Sequence, residues 1–151
     1  MELTKQELIE KLKLELDVLD KGGYAPSVRE PHRMQRVFRD SVSCPNVGTE
    51  IKQVPCGACY LIEFVPQEHK GKEDACHYIP LNARGDTAIS LLEKGGEEAL
   101  HSALHKWLQD TIAWLERESK ATATSGRAPR VLLTAGQQRP CLLLPTGRQA
   151  A

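Results

Sequence analysis

Residues 44–76 read CPNVGTEIKQVPCGACYLIEFVPQEHKGKEDAC and hold four of the chain's five cysteines. Their spacing is C-x11-C-x2-C-x16-C, so the second and third form a CxxC motif. Two thiolates at CxxC spacing can bind one ion with little strain, and two more from separate segments complete the tetrahedral shell that Zn²⁺ prefers. The sequence therefore predicts a zinc site formed by Cys44, Cys56, Cys59 and Cys76.

Two other chemistries are open to the same cysteines, and a further alternative is that they are unligated and incidental. Four thiolates can hold an iron–sulfur cluster, which would make the protein an electron carrier, although no compact ferredoxin-like run is present. A CxxC motif can also be a redox dithiol in which Cys56 attacks and Cys59 resolves. That chemistry favours a motif that opens a helix, whereas the residues after Cys59 resemble a strand. Zinc is preferred, and a closed four-thiolate site would stabilise the fold without catalysing a reaction.

Strands are predicted around the cysteines. Residues 60–65, YLIEFV, are rich in β-branched and aromatic side chains, which favours a strand. Residues 76–81 predict a second strand, and residues 34–39 predict a short third one. The first two are expected to pair antiparallel as a hairpin, which would bring Cys59 and Cys76 to the same end.

Amphipathic helices are predicted on both sides of this region. Over residues 4–20, leucines recur at helical spacing behind a capping box of Thr4 and Glu7. After the cysteines, a short helix over residues 87–94 is broken by two glycines. A longer helix over residues 97–119 follows, with a wide apolar face that should cover the sheet.

The predicted architecture is an α+β domain over residues 1–120. It has a small antiparallel sheet of two or three strands, covered by the N-terminal helix and the long C-terminal amphipathic helix, with the cysteine cluster at one end. Residues 121–151 are expected to be a poorly ordered tail, because they hold four Arg and no acidic residue and show no convincing periodicity. Cys141 lies in this tail and is left out of the predicted site.

Charge and hydropathy restrict the partners. The chain has no net charge, and residues 1–120 hold 16 Lys and Arg against 20 Asp and Glu. Nucleic-acid binding is not expected from such a balance with few aromatic residues. No apolar run reaches the roughly 20 residues of a membrane span, and the charged N-terminal helix lacks the apolar stretch of a signal peptide, so a cytoplasmic protein is expected. The first surface to test for a protein partner is an arginine-bearing segment that holds Arg29, Arg33, Arg36 and Arg39.

No familiar catalytic motif is present. His101 and His105 lie four apart on the long helix and could chelate a metal, but Ser102 stands where the zinc-protease motif has its Glu. Both histidines are expected to flank the apolar face as ordinary polar residues. The sequence therefore favours a small, non-enzymatic, zinc-stabilised interaction module over an iron–sulfur or dithiol redox protein.

Overall fold

The computed structural model describes residues 3–25, 27–29, 31, 37–39, 41–49 and 51–124. These ranges contain two α-helices, α1 (Lys5–Asp20) and α2 (Ala88–Thr124), joined by loops and short 3₁₀ helices. They contain no β-strand, so the predicted α+β fold with an antiparallel sheet is wrong, and the described part of the chain is a fold of helices and loops. The 3₁₀ helices are Cys56–Ala58, Tyr60–Phe64, Gln67–His69 and Ala75–Tyr78.

The strand predicted over residues 60–65 is instead the 3₁₀ helix Tyr60–Phe64. Leu61 and Phe64 are buried, whereas Glu63 between them is exposed. Burial at a spacing of three residues with an exposed residue between is the pattern of a helical face. A short apolar run does not by itself distinguish a buried strand from a buried helical turn, which explains the wrong prediction.

The other two predicted strands are also absent from the described residues. Over residues 76–81, the first half belongs to the 3₁₀ helix Ala75–Tyr78, and Ile79 at its end has an extended backbone. Residues 34–36 lie outside the described ranges, and the described remainder of that prediction forms a turn. Phe38 has φ 64° there, a left-handed conformation that reverses the chain and does not occur in a strand.

The predicted ends of α1 are confirmed. The Thr4 hydroxyl accepts a hydrogen bond from the Glu7 amide at 3.2 Å, and Glu7 accepts one from the Thr4 amide at 2.8 Å, which is a capping box. The helix ends in a Schellman motif, with Gly22 at φ 70°. In this motif the Gly23 amide donates to the Val18 carbonyl at 2.8 Å.

Helix α2 joins the two helices predicted after the cysteines. Within α2, residues 88–94 and 97–119 are helical and are separated by a kink at Gly96, whose φ of 71° and ψ of −166° are not helical. The helix continues to Thr124, beyond the predicted end. The rest of the predicted tail lies outside the described residues.

The two helices run antiparallel and form one side of the core. Lys13 near the middle of α1 forms a 2.6 Å ion pair with Glu116, and Asp20 at its end lies 3.0 Å from His105 of α2. Apolar stripes of the two helices face each other in the same core cluster. The buried members are Ile9, Leu12 and Leu19 of α1 and Leu100, Leu104, Leu108, Ile112 and Leu115 of α2.

Trp107 joins this helical pair to the cysteine-bearing segments. Its ring centroid lies 5.3 Å from those of Phe38 and Phe64, and both contacts are edge-to-face. All three rings are buried. The segments that carry the cysteines therefore rest on the side of α2 where Trp107 lies.

Candidate metal site

All four cysteines line one small cavity of ≈ 30 Å³. They come from three separate segments: Cys44 from a loop, Cys56 and Cys59 from the 3₁₀ turn Cys56–Ala58 and its end, and Cys76 from a second 3₁₀ helix. A cavity of this size holds an ion or one or two water molecules. It is far smaller than the roughly 300 Å³ of a small-molecule pocket.

Two facing 3₁₀ helices bring three of these cysteines together. The Cys59 amide donates to the Cys56 carbonyl at 3.2 Å, which closes the CxxC turn. Cys76 lies in the helix Ala75–Tyr78, which contacts the CxxC turn. The predicted hairpin is therefore wrong, although Cys59 and Cys76 still meet at one cavity.

Cys44 reaches the cavity at the base of a closed loop. Its amide donates to the Ser41 carbonyl at 2.9 Å. Two residues later, the Asn46 side chain donates to the Val54 carbonyl at 2.8 Å and accepts from the Val54 amide at 2.9 Å. These two bonds close the loop that separates Cys44 from Cys56.

The thiols share the cavity as free groups. All four cysteines are reduced, without a disulfide. Within the described ranges, no group of three or more His, Cys, Asp or Glu side chains is arranged so that it could hold a metal ion as it stands. The structure therefore brings four free cysteines to one cavity.

The four thiols affect one another electrostatically. Burial, followed by the charges of Cys59, Cys44 and Cys56, raises the pKa of the Cys76 thiol to about 12. Burial also raises the pKa of Cys59, to which Cys44 and Cys56 again contribute. A raised pKa is typical of a buried structural thiol and not of a reactive one.

Charged side chains surround the same cavity. Asp74 forms a 2.9 Å ion pair with Lys52 and a 3.3 Å ion pair with Arg39, and all three residues line the cavity. Burial would raise the pKa of Asp74, but the Lys52 hydrogen bond and the Arg39 charge outweigh it, so this pKa lies below its ordinary value. Arg39 of the arginine-bearing segment thus belongs to the rim, while Arg33 and Arg36 lie outside the described residues.

The backbone is strained on two sides of the cavity. Phe38 and Asp74 adopt left-handed conformations, with φ of 64° and 52°. Each such residue costs of order 1–3 kcal/mol and persists only where the surroundings fix it. The buried ring of Phe38 is fixed against Trp107, and Asp74 is fixed by its ion pairs. Strain of this kind is frequent at functional sites.

Two residues that support the site have no place in the sequence-based prediction, Asn46 and Glu15. Glu15 is fully buried in α1, and its Oε1 accepts a 2.5 Å hydrogen bond from the Tyr24 hydroxyl. Its Oε2 accepts one from the Ser41 hydroxyl and one from the Ser43 amide, both at 3.0 Å. The available signal for Glu15 was an acidic residue that interrupts the apolar stripe of α1, whereas Asn46 carries no comparable signal.

The two histidines on α2 lie away from the cysteines. Their rings are stacked, with centroids 6.4 Å apart, and His105 is held by Asp20 of α1. His101 lines a second cavity of ≈ 270 Å³ beside the end of α1. The described contacts of His105 therefore join the two helices.

Comparison of the chain with protein-family models, curated proteins and solved structures finds no match. Among the helices of the described residues, none has the length and apolar character needed to cross a membrane.

Proposed function

We propose that this chain is a small, non-enzymatic module whose fold is stabilised by a Zn²⁺ ion held by Cys44, Cys56, Cys59 and Cys76. The observation that supports this most strongly is that the four residues, from three segments, line one cavity of ≈ 30 Å³. Four thiolates are a donor set that Zn²⁺ prefers. Binding would draw the sulfur atoms inward, each to about 2.3 Å from the ion.

A structural role follows from the donor set. Four thiolates leave no open coordination position, and the cavity has no room for an organic substrate. Among the described residues around it, the regular structure is limited to short 3₁₀ helices. Zinc binding is worth about 10–16 kcal/mol in small zinc domains, comparable with the whole stability of a typical domain, about 5–15 kcal/mol. Loss of the ion should therefore unfold this region.

Two alternatives use the same cysteines. An iron–sulfur cluster would also need four thiolates. Because Tyr60–Phe64 is a 3₁₀ helix and not a strand, the residues after Cys59 do not count against a dithiol. A dithiol still leaves Cys44 and Cys76 without a role. The metal content and the absorption spectrum of the purified chain distinguish both alternatives from a zinc site.

The experiment is elemental analysis and absorption spectroscopy of the purified full chain. About one zinc per chain without visible absorption is expected from a closed tetrahedral site. Iron with sulfide and visible absorption would contradict the proposal in favour of a cluster. A metal-free chain with a reactive Cys56 would contradict it in favour of a dithiol.

Matched cysteine variants complete this test. Cys59→Ser should lose zinc and lower the midpoint of urea unfolding, because three thiolates bind the ion less tightly. Cys141→Ser, the same change at the cysteine outside the proposed site, should keep both the metal and the stability. A Cys59→Ser variant with unchanged stability would contradict the structural role.

The module is proposed to act through contact with a protein partner. The arginine-bearing segment is the first surface to test, since Val28 and Arg29 are exposed there. Arg29→Glu should abolish a partner crosslink formed by the full chain in cells. Lys106→Glu, the same reversal of charge at an exposed position of α2, should leave the crosslink intact. A crosslink that survives both reversals would place the partner on another surface.

A further inference from the structure

Glu15 is a fully buried carboxylate whose hydrogen bonds come from outside its own helix. We propose that Glu15 is a positioning residue that sets Cys44 in place for the metal, so that docking of α1 and zinc binding are coupled. This inference rests on the proposed function, in which Cys44 is one of four zinc ligands.

The contacts of Glu15 enclose the turn that carries Cys44. Its Oε2 accepts the Ser43 amide, which immediately precedes Cys44, at 3.0 Å. The same oxygen accepts the Ser41 hydroxyl at 3.0 Å, while the Ser41 carbonyl accepts the Cys44 amide at 2.9 Å. The hydroxyls of Ser41 and Ser43 lie 3.0 Å apart. One carboxylate oxygen therefore holds this turn at two points.

Burial makes these bonds difficult to exchange for water. Ser41 and Ser43 are 2% and 1% exposed, and Glu15 is 0% exposed. Hydrogen bonds to a charged group are stronger than neutral ones, and a buried amide that loses its acceptor carries the full cost of desolvation. The turn cannot move away from Glu15 without leaving such groups unsatisfied.

The carboxylate reaches the turn only when α1 is docked. Glu15 lies between Leu12 and Leu19, which are buried among the core side chains shared with α2. Undocking of α1 would withdraw the acceptor and release Cys44 from its position. Coupling of two equilibria is reciprocal, so zinc should stabilise the docked helix by as much as docking strengthens zinc binding.

The test compares Glu15→Gln with Glu10→Gln in the full chain. Glutamine keeps the size of the side chain but replaces one acceptor oxygen with a donor, so it cannot accept all the bonds that Glu15 accepts. Glu10 is exposed on the same helix and provides the matched control. Competition with a chelator should show zinc affinity at least tenfold weaker for Glu15→Gln and unchanged for Glu10→Gln.

Cobalt substitution separates positioning from general stabilisation. Thiolate-to-Co²⁺ charge-transfer absorption reports how many cysteines bind the ion. The charge-transfer absorption of Glu15→Gln should be as weak as that of Cys44→Ser. If Glu15 only stabilised the fold, the absorption of the Co²⁺-bound variant would equal that of the wild type. Added to Cys44→Ser, Glu15→Gln should not weaken zinc binding further, because both act through one ligand. The inference would be overturned if Glu15→Gln weakened zinc binding equally in the wild type and in Cys44→Ser. It would also be overturned if Glu15→Gln had the spectrum and the zinc affinity of the wild type.

A milder variant covers the case in which Glu15→Gln does not fold. Ser41→Ala removes one hydrogen bond to Glu15 Oε2 and should weaken zinc binding several-fold. Ser102→Ala, at an exposed position of α2, should have no effect. Wild-type affinity in Ser41→Ala would then overturn the inference. If the wild-type chain binds neither zinc nor cobalt, the proposed function itself fails, which distinguishes the two failures.

Discussion

The side-chain amide of Asn46 forms two hydrogen bonds with the backbone of Val54, one as donor at 2.8 Å and one as acceptor at 2.9 Å. These two bonds fix the loop at Asn46 and Val54, as backbone pairing between two strands would. The Asn46 side chain closes the loop between Cys44 and Cys56 in a region where the described residues form no β-sheet.

Asn46→Ala should destabilise the chain by about 1–3 kcal/mol, because both backbone groups of Val54 lose their partner. Asn46→Asp should be at least as harmful, since it keeps the acceptor but places a negative oxygen against the Val54 carbonyl. Urea unfolding measures both effects. Gln53→Ala, on the exposed part of the same loop, is the control. Equal stability of the Asn46→Ala and Gln53→Ala variants would show that the paired hydrogen bonds do not support the loop.

Gly23→Ala should cost more than Gly22→Ala. A Cβ at Gly23 would clash with the Val18 side chain and lie 2.7 Å from the Val18 carbonyl oxygen, so the end of α1 would have to shift. A Cβ at Gly22 meets nothing, and only its φ of 70° is unfavourable, at about 1–2 kcal/mol. Thermal unfolding of both variants checks the order, and a reversed order would contradict the close approach at Gly23.

Trp107→Ala should cost about 3–5 kcal/mol, because it empties the space between Phe38 and Phe64. Trp114→Ala should cost much less, since Trp114 is 40% exposed. Trp107→Phe should cost less than Trp107→Ala, because it keeps a ring and removes an indole N–H that has no hydrogen-bond partner within the described residues. Urea unfolding compares the three variants, and similar losses for the two alanine variants would contradict the packing described.

Asp86 should make stability depend on pH near the start of α2. Hydrogen bonds from Asn82 and then Lys94 lower its pKa from the ordinary value of 3.8. A lowered folded pKa means that Asp86 contributes stability above its unfolded pKa and loses it as pH falls through the folded pKa. The small advantage of the wild type over Asp86→Asn should therefore be complete near neutral pH and shrink below about pH 4. Urea unfolding at several pH values measures this advantage, and a constant value would contradict the assignment.

The helices could be predicted from the sequence because their signals are local. Thr4 and Glu7 fix the start of α1 by direct contact, and the glycines fix its end. Apolar spacing over many residues identified α2 in the same way. The predicted break between its two halves is confirmed, because Gly96 has a non-helical backbone with φ of 71° and ψ of −166°.

The middle of the chain could not be predicted because tertiary contacts decide its conformation. Leu61 and Phe64 lie in a run that predicts a strand, but they form the buried face of a 3₁₀ helix whose Phe64 packs against Trp107. Phe38 is held left-handed by its buried ring, a constraint that residues adjacent in sequence do not reveal. The cysteine spacing identified the residues that share the cavity. An acidic residue within the apolar stripe of α1 marked Glu15, but only its partners in space show that it holds the turn before Cys44.

The antiparallel contact of α1 with α2 joins the two ends of the described chain and encloses residues 21–87 as one long loop. Each doubling of a flexible loop adds only about 0.6 kcal/mol of closure entropy, so roughly halving this loop by linking Cys44 to Cys76 would lower its own closure cost by about that amount. An ion that binds the cysteines only in the folded chain would stabilise it by its binding free energy and not by shortening a loop of the unfolded chain. Because the main helical contact joins residues far apart in sequence, the chain should fold more slowly than a helical bundle with short connections.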